Sequence, residues 1–413
     1  MEINEFIGRG LAEGWIKETG NVGSVRIDGK NEDREVYEVR VDKLHYNVQN
    51  GRIATSVSRR QMREGALPKD PAELNDVIEQ MIVDDNPQRL KTTKLDIKVK
   101  GQQEVAIILS DGTVIDGNRR FTCLRMLSRE EREPRFLRCY VFPDTYDKKA
   151  IKALELEIQL GQDEKLGYDA IARLVDINEC VSSGLMSAEE YARHANMKPN
   201  DMKKALRQIG LMNDFLEFVN APGAYHIAQD MKLDGPLADL AQRLSRCRNE
   251  DQREDVKQVV FANLVMQNTG DRTRNVRQLI DDLVASDNQG DGFMEEQLDY
   301  AERVLEKLED APEDTRVTTE FIRDKVSSDA ELKAGQKASC EKARRKAGNR
   351  EIKDGQVRNV REALESLEEV DMALFAKLEE PRLEEMLKTL DDVMACAADL
   401  MVGVKSALSD RRA

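Results

Sequence analysis

TVIDGNRRFTCLRML, residues 113–127, changes pattern halfway along. Thr113 to Asp116 follow the turn signal Ser110-Asp111-Gly112 and read as a short strand. From about Arg119 to Arg129 the apolar residues Phe121, Leu124 and Leu127 recur at helical spacing. Gly117 sits at the joint, where a residue without a side chain permits a tight turn and close backbone approach. Asn118, Arg119 and Arg120 then fall on the first helical turn. Unpaired N–H groups and the positive end of the helix dipole favour an anion there. Two arginines add charge-assisted, fork-shaped donors that match phosphate. The expected ligand is a polyphosphate. The alternative is a structural turn whose arginines pair with surface carboxylates.

Outward from this segment, VYEVRVDKLHY at 36–46, LDIKVKG at 95–101, EVAIILS at 104–110 and FLRCYVFP at 136–143 read as strands. A helix is expected from Pro71 to Val83, and an arginine-rich stretch (Arg52, Arg59, Arg60, Arg63) precedes it. Residues 1–35 read as an N-terminal helix and linker, and 36–147 as an α+β domain. Helical patterns take over after Asp147, over 148–160 and 168–181. Ser187 and Glu190 form a capping box opening a short helix. The turn Asn196-Met-Lys-Pro199 leads into a second helix, with its stop expected at Gly210. Residues 148–286 therefore read as an all-α domain with a helix-turn-helix. SDNQGDG at 286–292 reads as a linker, and 293–413 as a helical, coiled-coil-like region. There Leu387, Leu390, Met394, Ala397, Met401, Val404 and Leu408 alternate spacings of three and four. Pro381 is expected to separate that helix from one carrying Leu364, Leu367, Leu374 and Leu378. The seam points to a homodimer, or to a hairpin within the chain.

The 413 residues suit two or three domains. Aromatic residues are 5% of the total with one tryptophan, Trp15, which disfavours a large β-sandwich. Six scattered cysteines lack any C-x-x-C pair, and His45, His194 and His226 are isolated, so a zinc site is not expected. No stretch approaches the ~18–20 apolar residues of a membrane span. The N-terminus lacks a basic-then-apolar leader pattern, and a cytoplasmic protein without membrane partners is expected. The net charge of −15 argues against a chain coated for non-specific DNA binding, but leaves room for a local basic surface.

Such a surface lies on the second helix of the helix-turn-helix. Lys198, Lys203, Lys204 and Arg207 surround that helix, with Asn200 and Lys203 placed to read base edges and Lys204 and Arg207 to meet phosphates of double-stranded DNA. Residues 333–361 form a second basic run without aromatic residues for base stacking.

The strand–DGNRR–helix order resembles the ParB/sulfiredoxin superfamily. KLHYNVQNGRI at 43–53 is similar to the early strand and loop of that fold, which ends in an Asn/Gln-x-Arg element, and 187–210 looks like the ParB helix-turn-helix. The resemblance covers about residues 36–215. It implies a ParB/sulfiredoxin-like α+β domain that binds a nucleoside triphosphate, CTP or ATP, with Mg²⁺. Matching positions are Asp116, Gly117, Asn118, Arg119, Arg120, Asn50, Arg52 and Glu157, with Asp116 and Glu157 as candidate Mg²⁺ ligands. Two departures matter. The partition proteins' E-N-x-x-R element is replaced by Glu157-Ile-Gln159 and Gln162-Asp-Glu164 without its arginine, and the sulfiredoxin cysteine position holds Asn118. His45 is a candidate neighbour of the base or ribose. The expected function is nucleotide-responsive DNA binding. The alternatives are an NTP-using nuclease or kinase-like enzyme on the same scaffold, with unassigned catalytic residues, and a nucleotide-free transcriptional regulator.

Overall fold

The computed structural model describes residues 2–27, 30–48, 50–161, 169–266, 271–287, 290, 292–309 and 317–411. It divides into two compact units, Met1–Ala343 and Arg344–Ala413. The first is mixed α and β: a six-stranded sheet toward the N-terminus, then helices.

The chain opens with α1 (Ile3–Glu13), followed by β1 (Ile16–Ile27) and β2 (Lys30–Arg40). These two strands pair antiparallel, and β1 with the first part of β2 lies in the segment expected to be a linker. Most of the β2 positions before Val36 are exposed, so no apolar alternation announces a strand there. The single strand expected over 36–46 is divided. A 3-10 turn at Val41–Lys43 separates β2 from β3 (His45–Tyr46).

Next come α2 (Ala54–Glu64), α3 (Pro71–Asp85) and α4 (Pro87–Lys100). The strand expected at 95–101 is thus the end of a helix. Asn86 caps it by accepting from the Arg89 N–H at 3.0 Å, and Pro87 occupies the first turn. The Leu95/Ile97/Val99 alternation is misleading, because only Ile97 is buried while Leu95 and Val99 are 53% and 79% exposed. Leu90 and Ile97, seven apart, define the inward face.

β4 (Ala106–Leu109), β5 (Thr113–Asp116), α5 (Asn118–Glu131) and β6 (Phe136–Phe142) complete the sheet, whose order is β1-β2-β6-β4-β5-β3. β6 runs parallel to β4, and β3 parallel to β5. Ala106 and Ile108 join one core with Phe121 and Leu127, while Ile107 and Leu109 join another with Leu154 and Ile158. With both faces covered, the β4 sequence AIIL reads as an unbroken apolar run.

The helices that follow are α6 (Lys148–Gly161), α7 (Ala170–Ser182), α8 (Ala188–His194), α9 (Pro199–Phe218), α10 (Tyr225–Asp230), α11 (Asp234–Arg243), α12 (Glu250–Met266), α13 (Arg272–Asp287), α14 (Phe293–Glu309) and α15 (Thr319–Ile322). Gly210 does not end α9. It lies exposed mid-helix, where glycine costs only about 1 kcal/mol, and the buried Leu211, Met212, Phe215 and Leu216 carry the helix onward. The expected linker at 286–292 falls partly outside the described residues, as does the 162–164 element.

The second unit holds most of α16 (Ala330–Glu368), a 3-10 stretch at Met372–Lys377, and α17 (Glu380–Asp410). Leu364 and Leu367 are therefore not on one helix with Leu374 and Leu378, because α16 stops before them. The hairpin alternative is not realised: no described residue of 344–411 is buried. No helix among the described residues is long and apolar enough to cross a membrane.

Candidate functional site

Asp111 Oδ1 accepts the Thr113 N–H at 2.8 Å and fixes the turn between β4 and β5. Asp116 ends β5, and Gly117 turns the chain with φ 94° and ψ 18°. A Cβ at Gly117 would stand 2.7 Å from the Cβ of Ala106, so both the space and the dihedral demand glycine. No side chain caps α5. Its first-turn N–H groups precede the first intrahelical bond, Phe121 N–H to Gly117 C=O at 2.9 Å, and present the positive end of the helix.

This turn borders a cavity of about 350 Å³. Asp116, Gly117, Asn118, Arg119, Arg120 and the buried Asn50 all line it. Six of the eight nominated residues thus converge from two separate segments. Their roles differ. Arg120 is held by Asp116 at 2.9 Å and Glu104 at 2.7 Å, so its guanidinium clamps the end of β5 to the segment after α4. Arg119 lines the cavity beside it. The buried Oδ1 of Asn118 has no hydrogen-bond partner, which leaves an acceptor for a hydroxyl or amine donor.

Sequence reasoning missed the opposite wall. Asp85, Arg89 and Thr93 face the cavity from the end of α3 and the start of α4, joined by Gln103 and Glu104. Reading part of α4 as a strand hid the Asn86-Pro87 helix start that places Arg89. Ile53, Ile82, Ile97 and Ile158 supply the apolar surface. The Arg52 side chain lies outside the described residues.

Glu157 is not part of this cavity. Its Oε1 pairs with His194 Nδ1 at 2.8 Å. Asp116 is committed to Arg120, and among the described residues no group of three or more His, Cys, Asp or Glu is clustered to hold a metal. Asp116 and Glu157 therefore do not share a site. His45 Nε2 pairs with Thr113 Oγ1 at 2.8 Å and binds β3 to β5 rather than lining the cavity. Cys123 is buried in the core, its thiol pushed up to about 11 by burial.

Behind Asn50, the Gly51 N–H donates to Glu155 Oε1 at 3.3 Å. Glu155 Oε2 is 3.1 Å from Lys152 Nζ, Lys152 pairs with Asp176 of α7, and Asp176 Oδ2 accepts from the Tyr191 hydroxyl of α8 at 2.8 Å. Burial raises the Glu155 carboxyl above the ordinary carboxylate range, against the pull of Lys152. Burial alone would lower Lys152, but Glu155 and Asp176 outweigh it and hold the ammonium charged. A continuous line of buried polar contacts thus runs from the cavity wall to α8.

α8 begins with the expected capping box: Ser187 Oγ accepts the Glu190 N–H at 3.1 Å, and Glu190 Oε2 accepts the Ser187 N–H at 3.0 Å. Asn196 takes φ 50° in the turn, and Lys198 is the N-cap of α9. Met202, Ala205 and Ile209 are buried, which puts Lys198, Asn200, Lys203, Lys204 and Arg207 on the exposed outer side. Lys204 and Asp201 form an exposed pair at 3.5 Å, a geometry that water screens to little net energy. No protein-family model matches this chain, and no curated protein matches it.

Proposed function

We propose that the protein is a nucleotide-responsive, DNA-binding homodimer of the cytoplasm, with a ParB/sulfiredoxin-like domain built on its sheet. A nucleoside triphosphate, CTP or ATP, lies in the cavity. Its phosphates meet the uncapped first turn of α5 and Arg119, with Arg89 on the facing wall. Ile53, Ile82, Ile97 and Ile158 take the apolar part of the ligand, and the orphan oxygen of Asn118 accepts from its ribose or base. Double-stranded DNA lies along the outer side of α9. The observation that carries this reading is the convergence of Asn50 and the whole Asp116–Arg120 turn on one cavity. The buried Glu155–Lys152–Asp176 line supports a coupling between that cavity and α8.

Calorimetric titration of the full chain with ATP, CTP and GTP, each with and without Mg²⁺, tests the first half. Removing one charged hydrogen-bond donor by Arg119→Ala should weaken binding by about 1.5–3 kcal/mol. Heat from none of the three nucleotides overturns the reading.

A further inference from the structure

We propose that α17, together with the part of α16 in the second unit, pairs with the same helices of a second copy of this chain in a four-helix bundle. The proposal names the surface for the homodimer in the reading above.

Exposed large apolar side chains are distributed unevenly. Among the described residues of the first unit they are Leu11, Val22 and Val48, scattered singly, and the neighbouring pair Leu95 and Val99 on α4. Among its described residues the second unit carries seventeen, from Val357 to Leu408. Together these seventeen expose on the order of 1,500 Å² per copy, against the roughly 800 Å² per partner of a standard specific interface. Spread over α16, α17 and the segment between them, that much exposed apolar surface marks an interaction region.

The spacing names the kind of partner. Leu387, Leu390, Met394, Ala397, Met401, Val404 and Leu408 keep the alternation of three and four that a helical seam requires. Val393 and Leu400 widen the stripe on one flank, and Val402 lies beyond it, 67% exposed. A stripe this wide needs neighbours on two sides, which a single hairpin partner cannot supply. α16 offers the matching seam, with Val357, Val360, Leu364 and Leu367 at the same spacings and 40–63% exposed.

Charge selects α16 against α17 rather than like against like. Residues 344–361 hold seven basic and two acidic residues, whereas 380–410 hold three basic and seven acidic. Flanking charges of opposite sign set partner choice in such bundles. Two copies thus supply two basic and two acidic helices, and each acidic helix gains basic neighbours.

Sedimentation of the full chain over a micromolar concentration range is the test, because mass is read independently of nucleotide or DNA. The expected result is twice the chain mass for the wild type and the single-chain mass for Leu390→Glu/Met401→Glu. Ala395→Gln/Ser406→Gln changes the polar side of α17 without altering its charge and should keep the doubled mass. Circular dichroism should show the first unit's helices intact in both variants. A monomeric wild type overturns the proposal, as does a seam variant that stays dimeric, or a polar-side variant that dissociates as fully as the seam variant.

Discussion

Lys152 and Asp176 form an ion pair whose side chains are only 5% and 3% exposed, tying α6 to α7. Removing one member of a buried pair leaves the other charged and desolvated. Lys152→Met should therefore destabilise the first unit by about 3–5 kcal/mol. Urea unfolding followed by circular dichroism measures it, and an unchanged midpoint would show that water reaches Asp176.

The same cluster makes stability depend on pH. Burial, aided by Asp176, raises the folded-state pKa of Glu155, and the same two causes raise Glu179. A carboxyl raised on folding contributes stability that is complete below its unfolded pKa and is lost as pH rises through the folded value. Relative to Glu155→Gln, the wild type should thus lose stability as pH climbs from about 4.5. Groups facing Glu155 include Lys152, Asp176, the Gly51 N–H and the Cys180 thiol. Unfolding midpoints at a series of pH values decide it, and parallel curves for the two proteins contradict it.

Gly117→Ala combines a positive φ with a close approach to Ala106. Its expected cost is about 1–2 kcal/mol from the left-handed conformation, before any cost from the clash. Relief of the contact by Ala106→Gly should recover only part of the loss, because the dihedral stays. Thermal unfolding of the single and double variants separates the two terms.

Cysteine chemistry follows burial. Cys396 is exposed, whereas Cys123, Cys139, Cys180, Cys247 and Cys340 are buried. Burial pushes Cys123 up to about 11 and Cys180 up to about 12. Iodoacetamide at pH 8 should label one site on the folded protein, Cys396, by peptide mass mapping. Fast labelling of Cys123 would contradict the packing of α5.

On α9, Lys203, Lys204 and Arg207 share the exposed side. A salt titration of duplex binding should lose about one unit of slope with Lys204→Ala, uniformly across sequences. Lys203→Ala should instead relax sequence preference. Equal affinity of the wild type and the triple alanine variant would remove α9 from the interface.

The core strands and the DGNRR turn were legible because burial on both faces of β4 and the demand for glycine at 117 leave local marks in the sequence. The β1–β2 hairpin left little: most of the outer half of β2 is exposed, and of the outer half of β1 only Val25 and Ile27 reach a core, so cross-strand pairing carries much of the hairpin. Arg89 was invisible for a related reason. Its contribution depends on how α4 packs along α5, a long-range relationship. Glu157 failed in the opposite way, since its neighbour Ile158 reaches the cavity while the carboxylate turns toward His194.

The uninterrupted α9 has a consequence for whatever meets its outer side. Its exposed first half is continuous with a second half anchored by Met212, Phe215 and Leu216, all essentially inaccessible to water. The contact surface cannot pivot without dragging core side chains with it. A ligand of α9 therefore meets a backbone already ordered, and association is spared the entropy of fixing it, leaving about 0.5–1.5 kcal/mol for each long side chain immobilised. Adaptation falls to the ligand: an inflexible rod selects, by shape alone, those duplexes that deform most easily to fit it.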